Sequence, residues 1–331
     1  MGLKPLFSVL FLFSFLAMGA QNSDSQTDSI SKSEYIQSFP DKFTARLFYV
    51  NTSNSFELSN RNTAESISLV PNKQDKIGSK VSYRGFSLSY SFAPDFLAEN
   101  KDNEGSRLFN INLRSYFGKW MQTLDIYSEK GFYVKDDLNE TYLPKTKSFK
   151  IGGSTGYIFN ENFSFRAITN QDEKQVKSAG SFIPQLIYYY TNYRIRAEGE
   201  GDLEVDEKYH STDVAINPGY YYNWVPTENL LLSAGASAGI GANFSGGSNA
   251  DSLTSLLYDF NFRGALLYDF SDFYAGAQYS YLILNHNSDR STYTEDNIPY
   301  FQAFIGYRFD APQRVKDLSD NINDTIDSIK N

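Results

Sequence analysis

Hydrophobic and polar residues alternate strictly along two consecutive segments in the second half of the chain. From Asp213 to Trp224 the even-numbered positions carry the larger apolar and aromatic side chains, and from Leu230 to Phe244 they carry Leu, Ala, Ile and Phe. A period of two indicates β-strands with one apolar face and one small or polar face. Each segment is roughly twice as long as a soluble strand of 5–6 residues, and a tilted strand needs about 10 residues to cross a bilayer. The pattern therefore predicts a membrane-spanning β-hairpin, with its turn at Val225–Asn229.

Aromatic residues reinforce this prediction. They form 16% of the chain, with 25 Tyr and 27 Phe, and Tyr220, Tyr222 and Trp224 end the first strand. Such rings form girdles where a barrel meets the lipid headgroups. The mean hydropathy of −0.44 excludes a helical membrane protein. The predicted fold is all-β: a transmembrane antiparallel up-and-down β-barrel with a short C-terminal helix.

Alternating segments continue from Phe43 to Phe309, separated by polar loops rich in Gly, Asn, Asp and Ser. Ile77–Phe92 is predicted as one strand, Phe163–Ile168 as another, and Arg194–Lys208 as a loop. Outer-membrane barrels have even strand numbers, with long loops outside and short turns in the periplasm. Each half of the chain alternates long loops with short turns, but the two halves place the long loops on opposite sides of the membrane. One strand between about residues 160 and 208 is therefore missed or counted twice. About 12 strands are predicted, with 14 as the alternative.

The N-terminus has the features of a secretory signal. Lys4 precedes an apolar run from Leu6 to Leu16, and small residues lead to a predicted cleavage site after Ala20. Residues 1–20 are therefore predicted to be a signal peptide, 21–41 a flexible periplasmic leader and 42–309 the barrel.

The C-terminal end of the barrel resembles the signal that the barrel assembly machinery reads, because Pro299–Phe309 alternates and ends on an aromatic residue. Residues 310–331 form a predicted periplasmic tail. Its apolar residues follow 3/4 spacing, which predicts a short amphipathic helix: Val315, Leu318, Ile322, Ile326 and Ile329. This helix would plug the periplasmic mouth, bind a partner or remain unattached.

Charge and cysteine content limit the compartment and the partners. The chain has no Cys, so disulfides, thiol catalysis and lipidation on Cys are excluded. An exported protein without disulfides favours a Gram-negative envelope. The net charge of −9 argues against nucleic acid as a partner. The expected location is the outer membrane, with lipid and lipopolysaccharide as surroundings and a small solute as a possible ligand.

Several motifs resemble one family. They include the block from Tyr157 to Ala167, Gln171–Gln175, Lys177–Ser181, Lys130–Tyr133 and Asn217–Tyr220. Together they resemble a Bacteroidetes family catalogued as domain of unknown function 4421, over roughly Phe43 to Phe309. The resemblance implies an outer-membrane β-barrel of unassigned function and brings no catalytic residue with it.

Polar residues on the inward parity are the strongest candidates for chemistry. A charge on the lipid face would cost about 2–4 kcal/mol at the midplane, so parity assigns these residues to the lumen. The candidate lumen-facing residues are Asp259, Asn261, Arg263, Gln278, Gln302 and Arg308, with Arg46, Arg114 and Lys150 as further candidates. They form either a static hydrogen-bonded network or the lining of a pore that selects solutes by charge.

Catalytic and metal chemistry have little support. The chain has only two His, of which His210 with Asp213 is the one conceivable acid–base pair. No zinc pattern is present, and no cofactor is expected. We therefore expect a narrow channel or an envelope structural protein and not an enzyme. One alternative is a hydrolase-type barrel enzyme. The other is a soluble lipid-binding β-barrel, and a barrel of that kind would need apolar residues facing inward.

Overall fold

A computed structural model describes residues 34–52, 55–60, 66–72, 75–97, 107–135, 140–198, 204–248, 252–287, 292–317 and 319–321. These contain one short α-helix, α1 (Arg166–Thr169), a 3-10 helix at Asp95–Leu97, and helical residues at 313–317 and 319–321. The strands are β1 (Ile36–Ser38), β2 (Lys42–Thr52), β3 (Ser55–Asn60), β4 (Ser66–Pro71), β5 (Asp75–Tyr83), β6 (Phe86–Phe92), β7 (Arg107–Phe117), β8 (Trp120–Lys135), β9 (Glu140–Tyr157), β10 (Glu173–Gln175), β11 (Ala179–Glu198), β12 (Glu204–Thr227), β13 (Leu230–Gly247), β14 (Leu253–Phe270), β15 (Phe273–Asn287) and β16 (Thr292–Asp310).

Twelve of these strands form a closed antiparallel barrel. The order around the ring is β2, β5, β6, β7, β8, β9, β11, β12, β13, β14, β15 and β16, and β16 pairs with β2 to close it. Closure leaves no unpaired strand edge within the ring, which a bilayer requires of any β-structure that crosses it. The prediction of a twelve-stranded barrel is confirmed.

The outer surface is an apolar belt. Leu47, Ile216 and Ile305 are each more than 60% exposed, at 64%, 63% and 65%. Exposed aromatic side chains gather at the ends of the strands that meet in tight turns, among them Trp224, Phe270, Phe273 and Phe86. Because the apolar face points outward and the polar face inward, the soluble lipid-binding barrel is wrong. None of the helices in the described residues is long and apolar enough to span a membrane.

The first half of the barrel differs from the predicted strands in its turns. Ile77–Phe92 is two strands, since Arg84 and Gly85 form a tight turn with φ angles of 44° and 85°. Two consecutive positive φ angles are typical of the hairpin turns whose twist matches the strands. The sequence signal was weak because Arg occupies the place where Asn or Asp is usual.

Two further predictions are wrong in the second half. Arg194–Lys208 is not simply a loop, because β11 reaches Glu198 and β12 begins at Glu204, with the two strands paired throughout. Phe163–Ile168 is not a strand: it contains most of α1 and lies buried inside the barrel. It could not join the wall, because β9 and β11 already pair with each other.

A hairpin reshapes the wall at the end with the longer connections. β3 pairs with the first residues of β16, and β4 pairs with the last residues of β8. The hairpin therefore spans the gap above the ends of β2, β5, β6 and β7, where two strands replace four. The opposite end carries the tight turns and both ends of the described chain, and is the periplasmic end.

The described chain ends lie at the periplasmic rim. β1, within the segment expected to be a flexible leader, pairs with β10. Helical residues near the C-terminus contact the same rim: Arg84 donates to Ser319 at 3.0 Å, and Lys316 lies 3.5 Å from Asp41. Residues 1–33 and 322–331, which include the predicted signal peptide and half of the predicted tail helix, lie outside the described residues.

Candidate functional site: a plugged lumen

The connection between β9 and β11 folds back into the barrel. We call residues 158–178 the plug; they include α1 and β10. Between Phe163 and Asp172 every residue except Arg166 is at most 4% exposed. The plug therefore closes the periplasmic mouth, the position proposed from sequence for the C-terminal helix.

One side of the plug is apolar. Phe165 packs edge-on against the Tyr221 ring at a centroid distance of 5.2 Å. Ile168 and Phe163 belong to the same buried cluster as inward-facing wall residues such as Met121 and Leu267. Fully burying a side chain of this size contributes about 1.5–3 kcal/mol. These contacts stabilise the plug inside the lumen in addition to its polar contacts.

The opposite side of the plug is polar and bonds to β2 and β5. Thr44 donates its hydroxyl hydrogen to the Asn170 carbonyl at 2.8 Å. The Lys80 ammonium donates to the Thr169 carbonyl at 2.8 Å and to Asn170 Oδ1 at 3.0 Å. Since buried polar groups need partners, these bonds fix how deeply the plug is inserted.

Arg308 attaches the plug to the last strand of the barrel. Its Nε donates to the Gln171 carbonyl at 2.8 Å, while its two Nη atoms bind the Asp269 carboxylate at 2.6 and 3.0 Å. Gln171 has a φ of 57°, the left-handed region that only a few non-glycine residues adopt. Phe39, just before β2, lies 4.5 Å from the Arg308 guanidinium carbon. Arg308, a lumen-facing candidate from the sequence, is buried against the plug and is not part of the chamber lining described below.

Asp172 is the most connected acidic residue of the plug. Its carboxylate accepts from Arg166 at 2.8 and 3.2 Å and from the Gly85 backbone N–H at 2.7 Å. Arg166 also pairs with Glu173 at 2.7 Å. Burial lowers the pKa of the Arg166 guanidinium, but the carboxylates of Asp172 and Glu173 outweigh that effect and raise its pKa above the usual value. The Arg84–Gly85 turn is thus tied directly to the plug.

A further attachment joins the plug to β12. Asn223, fully buried, donates to the Ser164 carbonyl at 2.9 Å and to Gln175 Oε1 at 3.1 Å. Gln175 donates in turn to the Asn162 carbonyl at 2.7 Å and to the Tyr35 carbonyl at 3.2 Å. The plug, the wall and the segment before β1 are therefore parts of one network.

A chamber of about 220 Å³ lies between the plug and the extracellular end. Arg46 and Lys80 line its floor next to the plug, and Thr52 lines it near the end of β2. Of its charged lining residues, six are basic and two are acidic: Arg46, Lys76, Lys80, Arg114, Lys150, Arg263, Asp125 and Glu129. The chamber is therefore positively charged, although the whole chain carries a net charge of −9.

Most of the lumen candidates from the sequence meet in this chamber. Those that line it are Arg46, Arg114, Lys150, Asn261, Arg263, Gln278 and Gln302. Gln278 donates to Gln302 at 3.0 Å across the β15–β16 pair. Asp259 is only 1% exposed and is not part of the lining.

Sequence reasoning missed Lys76, Lys80, Asp125 and Glu129. Parity on β8 would have placed Asp125 and Glu129 on one face, which is the signal that could have found them. Lys80 was harder to recognise because the turn that ends β5 was not identified.

The conceivable catalytic pair is absent. His210 is exposed, whereas Asp213, an odd number of residues further along β12, is buried and within 2.5 Å of the Asn243 amide. Successive strand residues face opposite sides, so the two side chains point apart. Among the described residues no group of His, Asp and Glu side chains could hold a metal ion. At the extracellular end Asp206 pairs with Arg194 and Arg196, so this part of the acidic stretch is internally neutralised.

Residues 24–309 match the family described as domain of unknown function, DUF4421. The chain belongs to this family. The plug coincides with the block through which the sequence resembles the family, from Tyr157 to Ser181. A comparison with curated proteins finds no match.

Solved structures of outer-membrane barrels are similar to the chain in outline. The translocator domain of autotransporter NalP from Neisseria meningitidis has 9% identity and a TM-score of 0.42, over 92% of this chain and 97% of that one. An outer membrane channel from Pseudomonas putida F1 has 8% identity and a TM-score of 0.39, over 87% and 100%. The outer membrane protease OmpT from Escherichia coli has 10% identity and a TM-score of 0.36, over 86% and 99%. Similarity at this level transfers no function.

The closed ring, the apolar belt and the aromatic girdle identify the chain as an integral outer-membrane protein.

Proposed function

We propose that the protein is a gated outer-membrane channel for small polar solutes, closed by its plug. The observation that carries the proposal is the charged chamber that ends on the plug. A purely structural barrel gains nothing from a cavity lined by charges, since each buried charge costs free energy unless it is paired. Ligand sites for drug-sized molecules run from about 300 to 1,000 Å³, so this chamber suits smaller solutes.

The polar contacts of the plug favour a plug that can move over one that closes the lumen permanently. Asp172, Arg308 and Asn223 fix the plug through a limited number of directional bonds. Hydrogen bonds to charged groups contribute about 1.5–3 kcal/mol each, so a few of them set the balance between closed and open states.

A second candidate function is an envelope structural protein. It is favoured by the apolar half of the plug, where Phe163, Phe165 and Ile168 are buried. Removing these side chains from the lumen would expose apolar surface to water, which opposes opening.

We further infer that the protein is not an enzyme, that residues 1–20 are its signal peptide and that its source is a member of the Bacteroidetes. The separation of His210 from Asp213 supports the first inference. The family resemblance supports the last.

The test is planar-bilayer conductance of Asp172→Asn beside Glu161→Gln. Asp172→Asn weakens the Arg166 pair and the Gly85 contact, so the time spent open should rise at least tenfold. Glu161→Gln alters an exposed carboxylate of the same plug, 78% exposed at its side chain, and should leave conductance unchanged. Absence of conductance in both variants, with the barrel folded, would contradict the channel and support the structural role.

A further inference from the structure

Four cations of the chamber stand close together with no carboxylate at ion-pair distance. Arg46, Lys80, Arg114 and Arg263 all line it. Within the described residues, none of the four forms an ion pair, whereas Arg308 and Arg166 both do.

The fold forces two of these cations together. Arg46 on β2 and Lys80 on β5 are direct cross-strand partners, and both side chains are 6% exposed. Like charges directly opposite each other on one face of a sheet are destabilising. Both residues do bond to the plug, but to neutral oxygens: Arg46 to Gln171, and Lys80 to Thr169 and Asn170.

Arg114 and Arg263 extend the cluster to other walls. Lys80 interacts electrostatically with both, and Arg46 interacts with Arg114. Arg263 lies 5.6 Å from the centre of the Phe165 ring of the plug, and its strand β14 is separated from β5 by β15, β16 and β2 around the ring. The four cations therefore point at a common space from β2, β5, β7 and β14.

The acidic groups nearby offset this cluster only in part: Asp125 attracts Arg114 but forms no ion pair with it. The Asp125 carboxylate accepts from the Asn112 amide at 2.6 Å and from the Tyr189 hydroxyl at 2.8 Å. Glu129 attracts Lys76, which is outside the four. Asp172 attracts Lys80 but is itself bound to Arg166 and Gly85.

Tyr300 marks the centre of the cluster. It lines the chamber and interacts electrostatically with Arg46, Arg114 and Arg263. Its hydroxyl adds a neutral donor to a set of guanidinium and ammonium donors.

We propose that this cluster is a binding site for a small multivalent oxyanion with the chemistry of phosphate. Guanidinium groups bind the oxygens of such anions through paired, charge-assisted hydrogen bonds. An anion of this size fits the chamber of about 220 Å³ and neutralises cations that otherwise have no ion-pair partner, two of which are buried. The inference rests on the proposed function in one respect, since it names the class of solute that the channel would carry.

Arg114→Gln is the primary test, because Arg114 has no hydrogen bond to the plug among the described contacts. Arg107→Gln is the matched control: it removes the same charge from the same strand, at an exposed position outside the chamber. Tyr300→Phe removes only the hydroxyl. Binding of inorganic phosphate to the detergent-solubilised full-length protein is measured by calorimetry and by the shift in Tm, with Mg²⁺ alone as the probe of opposite charge.

We expect phosphate to bind and stabilise the protein, Arg114→Gln to weaken binding at least tenfold, Tyr300→Phe to weaken it several-fold, and Arg107→Gln to leave it unchanged. The inference is overturned if phosphate does not bind, if Arg114→Gln and Arg107→Gln bind it equally, or if Mg²⁺ stabilises the protein more than phosphate does. Conductance is recorded separately. Phosphate binding without conductance upholds the site and contradicts the channel; conductance without phosphate binding contradicts the site and upholds the channel.

Discussion

Arg308 of the last strand donates to the backbone carbonyl of Gln171 in the plug, and this 2.8 Å bond joins the strand that closes the barrel to the segment that closes its lumen. Gln171 sits at a positive φ, so the carbonyl is presented by a backbone conformation that the surrounding structure must maintain. Barrel closure and lumen closure therefore depend on the same residue.

We expect Arg308→Gln to destabilise the protein strongly. The change leaves the Asp269 carboxylate without its partner in a partly buried position, and breaking a buried pair costs about 3–5 kcal/mol. Thermal unfolding monitored by loss of heat-modifiable migration in detergent gels measures this. Arg84→Gln is the control, because its partner Asp320 is 58% exposed and exposed pairs contribute about 0–1 kcal/mol. Equal effects of the two changes would contradict the anchoring role of Arg308.

Gly85→Ala should weaken the plug through the turn. Gly85 has a φ of 85°, and an added Cβ would lie 3.0 Å from the Tyr116 carbonyl oxygen. A cost of about 1 kcal/mol or more follows from the positive φ alone. Because the Gly85 N–H also donates to Asp172, we expect proteolysis within the plug to become faster. An unchanged rate of cleavage would show that the turn does not stabilise the plug.

A charged substitution tests whether the residues of the apolar belt face the lipid. Ala238→Arg should block assembly, because Ala238 is exposed on the outer face near the middle of β13 and Arg costs about 2–4 kcal/mol there. Ala238→Leu should assemble normally. Asn261→Glu, on the adjacent strand but lining the chamber, should also be tolerated because its charge faces Arg263. Outer-membrane fractionation measures the assembly of all three variants. Assembly of Ala238→Arg at the wild-type level would contradict the assignment of Ala238 to the lipid face.

Removal of residues 313–331 should leave the lumen closed. Plugging the mouth was one of three roles that the sequence left open for this tail, but its described part contacts the rim through Arg84, while the mouth holds the plug. We expect the truncated protein to insert and to conduct no more than the full-length protein. A large rise in conductance would return the plugging role to the tail.

The barrel wall could be predicted from the sequence because the alternation within each strand shows by itself which side chains face the lipid and which face the lumen. Parity alone separates Ala238 from Ser237 and assigns Arg263 to the lumen, since one residue reverses the face of a strand. The plug could not be predicted in this way. Phe163 and Phe165 alternate with polar residues as a strand would, and only the pairing of β9 with β11 excludes them from the wall.

The chamber was partly predictable for a similar reason. Its individual residues follow from parity, but the convergence of Arg46, Lys80, Arg114 and Arg263 depends on four strands that are distant in sequence. The order of these strands around the ring is set when the barrel closes, and it cannot be predicted from any local sequence pattern.

The central claim is that residues 158–178 close the lumen, and conductance of a plug-deleted barrel tests it most directly. Residues 161–177 are replaced by a short Gly-Ser linker, and heat-modifiable migration verifies that the barrel has formed. We predict that the full-length protein is closed for most of the recording, whereas the deleted form conducts ions continuously. A full-length protein that conducts as freely as the deleted form, or a folded deleted form that remains closed, would contradict the account.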